Sequence, residues 1–144
     1  MNAVNRPQLS RLAAKAGLRL ERWREGTVRF TLPQSEPPAD VKPEWFRNRV
    51  TGRVYCVGRE KSPPLANVSR ERERLRFPLL ARHRVVSLED GAQVRAVVTA
   101  LLSAGWCVDN DAYLFPAQGG WLAYVGHHDE LVVYLPRSRR EHEH

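Results

Sequence analysis

Two stretches of the chain share one layout, and that layout most restricts the fold. Leu9 to Pro33 runs with helical spacing, breaks at Ala16-Gly17 and continues as alternating apolar residues to Leu32-Pro33. Val94 to Pro116 repeats the order, breaking at Ala104-Gly105 and ending at Phe115-Pro116. Each reads as an amphipathic helix stopped by glycine and followed by strand. The echo is what any helix-then-sheet unit shows, so it reads as scaffold rather than duplication. It sets apart the basic, aromatic middle as the odd segment.

Leu9, Leu12, Ala13 and Ala16 form one apolar stripe, with Pro7 suited to the first turn and Gly17 to the C-terminal cap. Leu18 and Leu20, then Val28, Phe30 and Leu32, alternate as a half-buried hairpin does, with Arg24-Glu25-Gly26 at its turn. Arg19 and Arg29 then project from the wet face. Val94, Val97, Val98, Leu101 and Leu102 make the clearest helix, with Ser87 and Asp90 as its expected capping box. Trp106 to Val108, Ala112 to Phe115, Trp121 to Val125 and Leu131 to Leu135 follow as strands. The expected fold is a single α+β domain over 1–136. It is a mostly antiparallel sheet with two amphipathic helices packed on one face. Segments 34–43 and 60–69 are expected as exposed proline-containing loops, and 137–144 as a charged, flexible tail.

The 144 residues carry a formal charge of +7, and all but Lys15, Lys42 and Lys61 of the 23 basic residues are arginine. Compositional bias explains the arginine-to-lysine ratio but not the positive sum. Such a balance favours an anionic partner, nucleic acid first. Cys56 and Cys107 stand far apart, in no disulfide or metal pattern, which makes a reducing cytoplasm the expected setting. No apolar run approaches membrane-span length, so no membrane partner is expected.

The middle segment reads as a hairpin: Trp45 to Val50, a Thr51-Gly52 turn, then Arg53 to Gly58. In it Trp45, Phe46 and Tyr55 interleave with Arg47, Arg49, Arg53 and Arg59. Rings for base stacking beside guanidinium groups for phosphate are the means by which single strands are held. The same pattern also arises when the rings are core and the arginines simply face solvent.

His127-His128-Asp129-Glu130 invites a metal or acid–base reading, but adjacent strand side chains point apart, so a polar turn is expected. Cys56 and Cys107 sit among apolar neighbours and read as buried small hydrophobes. No catalytic residues, metal site or cofactor are expected. Leu101 to Trp106 followed by strands, the Gly126-His127 step and a last strand ending at Leu135-Pro136 loosely resemble the HicA-type toxins. Those are small ribonucleases with a double-stranded-RNA-binding-like α/β fold and one functional histidine. The resemblance covers Val94 to Pro136. Gly126-His127 stands where those toxins have Gly-Ser-His, and the stretch from Gly105 to His127 is longer. It implies a topology more than a role for His127.

Three functions are therefore expected in order. The first is a small, non-enzymatic nucleic-acid-binding module for single-stranded DNA or RNA, using Arg19 and Arg29 beside the central hairpin. The second is an inhibitor or adaptor for an acidic protein partner. The third is a HicA-like ribonuclease.

Overall fold

The computed structural model describes residues 6–24, 27–59, 62, 64–65, 83–103, 111–126 and 129–137. Helix α1 (Arg6–Lys15) leads into a two-stranded ribbon, β1 (Arg19–Arg24) and β2 (Thr27–Thr31). Strand β3 (Ala39–Asp40) and a 3-10 turn (Pro43–Phe46) precede β4 (Val54–Arg59) and β5 (His83–Leu88). Helix α2 (Gly91–Ser103) is followed by β6 (Ala112–Pro116), β7 (Leu122–Gly126) and β8 (Glu130–Tyr134). Among the described residues, six strands form one antiparallel sheet in the order β3-β8-β7-β6-β4-β5, and β1 and β2 form a separate two-stranded ribbon. The α+β architecture expected from the sequence is the one observed. None of the described helices is long and apolar enough to cross a membrane.

Helices α1 and α2 do not share a face. Val54 and Cys56 of β4 join Val94, Val97, Val98 and Leu101 of α2 in one core. Their neighbours Tyr55 and Val57 join Leu9, Ala13 and Ala16 of α1, together with Val28 and Phe30 of the ribbon, in a second. The cause is the strand composition. β4 and β6 are apolar at successive positions, so both sheet faces have to be covered. β1 and β2 alternate instead, which gives them one apolar face and makes them a cover rather than a sheet interior.

Local signals fix the helix ends. Gly17 has φ 75°, and the Leu18 amide donates to the Ala13 carbonyl at 2.8 Å while the Gly17 amide donates to Ala14. This left-handed glycine cap turns the chain into β1. At α2 the capping residue is Asp90 rather than the expected Ser87, three residues later: Asp90 Oδ1 accepts from the Gln93 amide at 2.8 Å, and Gln93 Oε1 accepts from the Glu89 amide. Ser87 lies inside β5, buried, with no hydrogen bond to its hydroxyl among the described residues.

The expected central hairpin does not form. Pro43 opens a 3-10 turn closed by i to i+3 bonds, Trp45 to Lys42 and Arg47 to Glu44. β4 then pairs with β5 on one side and β6 on the other, as its apolar residues on both faces require. Segment 34–43 is mostly exposed, yet not a free loop: Ala39 and Asp40 pair with Val133 and Val132 along the edge of β8. In 60–69, Ser62 and Leu65 are buried rather than exposed, with Leu65 seated where a side chain on Gly58 would collide. Trp106 to Val108, His127 and His128, and the tail beyond Arg137 lie outside the described residues.

The 3-10 turn is seated on the start of α2. A methyl group on Gly91 would collide with the Arg47 carbonyl and lie 2.9 Å from that of Phe46. Backbone cannot yield as a flexible side chain does, so Gly91→Ala should destabilise the fold by about 1–3 kcal/mol in urea unfolding. Gly52→Ala, which meets open space, is the control and should be near neutral.

Candidate nucleic-acid interface

Two of the three rings expected to stack on bases are core. Phe46 is fully buried and Tyr55 is 6% exposed, the latter against Phe115 at 5.8 Å. Trp45 is half-buried, edge-on to Phe46 at 5.2 Å and to Trp121 at 5.6 Å. Arg49 lies over its ring at 4.7 Å and donates to the Trp45 carbonyl at 2.8 Å. That guanidinium occupies the ring by a cation–π contact. Arg47 pairs with Glu44 at 3.8 Å, and Arg95 of α2 pairs with the same carboxylate. Arg53 is exposed at the entry to β4. The 3-10 turn therefore holds its aromatics inward and keeps charge outward.

A second basic surface lies on the ribbon. Leu20, Val28 and Phe30 turn toward the sheet, leaving Arg19 and Arg29 exposed as expected. A register shift between Leu20 and Arg22 adds a residue the sequence reading missed. Strict alternation from Leu18 and Leu20 puts Arg22 on the inner face. The bulge at Glu21 resets the phase, so Arg22 is exposed directly opposite Arg29. Glu21 instead accepts a hydrogen bond from the Thr31 hydroxyl at 2.9 Å. Among the described residues, no carboxylate pairs with Arg22 or Arg29. Like charges facing each other across a ladder are destabilising on their own.

Beside the ribbon, where it meets β6 and β7, lie two adjoining cavities of about 340 and 380 Å³. Both are lined by Arg29, Tyr113 and Tyr124. Arg59, His83 and Asp111 complete the first, and Glu130 and Tyr134 bound the second. Arg59 and His83 face each other across the β4–β5 ladder. The rings of Tyr113 and Tyr124 are 5.0 Å apart and inclined at 47°, with Phe30 edge-on to Tyr113 at 5.4 Å. Tyr124 donates its hydroxyl hydrogen to Asp111 Oδ2 at 3.2 Å. The sequence puts Arg29 on the first hairpin and Arg59 at the end of the central one, both as candidate binding residues, and gives Tyr113 and Tyr124 no role. Only tertiary packing joins them.

Burial raises the Tyr113 phenol above its ordinary pKa, although the Arg29 charge pulls back toward ionisation. Tyr124 is raised further, by burial first and then by the Asp111 carboxylate beside it. At neutral pH both phenols keep their protons; Tyr124 donates its own to Asp111, and the Tyr113 oxygen accepts from the Phe30 amide. The groove thus combines aromatic surface, neutral hydroxyls and a guanidinium. Cys56 contributes no nucleophile, since burial pushes its thiol up to about 12. Among the described residues, no cluster of three or more histidine, cysteine or carboxylate side chains is placed to hold a metal. Comparison with known protein families, curated proteins and solved structures returns no match to this chain.

The raised phenols have a consequence for stability. An unfolded tyrosine ionises near its ordinary value of 10, whereas Tyr124 holds its proton beyond that. Stability from this group is complete below pH 10 and declines as pH rises toward the folded value, because the unfolded chain releases the proton first. Alkaline denaturation followed by circular dichroism should show this decline, and Tyr124→Phe should reduce it. A parallel absorbance titration should lose its latest tyrosinate step in the same variant.

Proposed function

We propose that the protein binds single-stranded nucleic acid, with the outer face of the β1–β2 ribbon lying along the phosphate backbone. The observation that carries this reading is the exposed Arg22–Arg29 pair, with Arg19 on the same face. A polyanion laid across facing guanidinium groups turns their mutual repulsion into shared attraction. Arg47 is exposed as well, but it sits on the 3-10 turn, on the other side of the sheet, paired with Glu44, and is not part of this surface. The phenol-lined groove next to the ribbon favours a strand whose bases are unstacked over a closed duplex.

Affinity of this kind is dominated by counterion release, so it should fall steeply with salt, with a slope of about 0.7 per phosphate contact on a single strand. In an anisotropy titration, replacing Arg19, Arg22 and Arg29 together by glutamine should reduce that slope by about two. A flat salt response, or a triple variant that binds as the parent does, sinks the proposal. Retention of one stoichiometric protein from nuclease-treated extract, with no oligonucleotide binding, points instead to an acidic protein partner.

A further inference from the structure

We infer that the groove between the ribbon and strands β6 and β7 seats one nucleotide of the bound strand, its ring against Tyr113 and Tyr124 and its phosphate at Arg29. This rests on the nucleic-acid reading above and adds to it the place where a base is held.

Four observations point to such a ligand. Each compartment, at about 340 and 380 Å³, lies in the range of sites that enclose a small molecule. The two tyrosines are only half-buried, so ring surface remains for an incoming base. Arg29 is common to both compartments and also belongs to the exposed arginine row of the ribbon. A phosphate at Arg29 is therefore continuous with a backbone held by Arg22 and Arg19. The acidic groups, Asp111 and Glu130, each belong to one compartment only. Both lie beside Tyr124, where a carboxylate can accept from a base amino group.

This arrangement separates roles in a way an unstructured basic patch does not. Arg29 holds charge, and its loss changes the salt dependence. Tyr124 holds a ring, and its loss changes affinity at every salt concentration alike. The Tyr124 hydroxyl is already engaged with Asp111, so phenylalanine keeps the ring surface that matters.

The test uses the full chain and a labelled single-stranded oligodeoxycytidylate in anisotropy titrations across a salt series. Tyr124→Leu, which keeps side-chain bulk but removes the aromatic face, should weaken binding roughly five- to hundredfold with the salt slope unchanged. Tyr124→Phe should remain within about twofold of the parent. Arg29→Gln should lower the slope by somewhat less than one. If the parent binds and Tyr124→Leu binds equally well, the groove proposal is overturned while the ribbon reading stands. If the parent binds no oligonucleotide at any salt, both are overturned. Should Tyr124→Leu lose its fold by circular dichroism, photocrosslinking of an iodo-substituted strand to the parent decides the matter. Adducts at Tyr113 or Tyr124 support the groove, and adducts confined to other residues overturn it.

Discussion

The rest of the structure depends on the two-sided burial of β4 and β6. Residues such as Tyr55, Cys56 and Val57, or Leu114 and Phe115, turn alternately to opposite faces and are buried on both. A sheet with such strands at its centre cannot leave a face to water without exposing a contiguous apolar patch. Helix α2 and the 3-10 turn cover one side. Helix α1 and the ribbon cover the other, locked by Gly119, whose backbone approaches the Ala16 carbonyl too closely for any side chain. What looked like one repeated unit is thus used twice for different ends. Its first copy supplies a lid, and its second continues into the sheet beneath.

That difference was legible, although the simple echo hides it. Arg19, Leu20, Val28, Arg29 and Phe30 alternate, whereas Ala112 to Phe115 does not. Helix α2 and strands β6 to β8 also follow from periodicity, because many apolar residues repeat there at a single spacing. The elements that escaped are those where backbone pairing works against composition. β3 is two exposed residues in a proline-rich stretch, held only by the edge of β8. β5 begins at His83-Arg84 and contains Ser87, so its buried half is disguised by polar residues. Trp45 and Phe46 resemble the start of a strand in spacing alone, and Pro43 bends them into a turn.

The candidate site shows the same division. Exposed arginines are readable from charge and alternation, which is how Arg19, Arg29, Arg47, Arg49 and Arg53 were singled out. Aromatic exposure is not readable, because a ring in a basic segment is as serviceable to the core as to a ligand. Phe46 and Tyr55 went to the core. The half-exposed rings, Tyr113 and Tyr124, come from strands that looked like pure scaffold. They meet Arg29 only because the ribbon folds over the sheet, a contact between segments far apart in sequence. Charge and rings are therefore assembled by the same lid that closes the second core.

The bulge at Glu21 gives this surface an unusual dependency. Which residues of β1 face outward is decided by a count of residues rather than by their identities, since one extra position shifts the phase of everything that follows. Exchanging an outward side chain for another alters the surface locally and leaves the lid seated. Adding or removing a single residue in that strand exchanges the wet and dry sides at a stroke, burying a guanidinium and stranding apolar area in water. The surface is therefore free to vary in chemistry while its length is held fixed, as a reading frame tolerates substitution but not a shift.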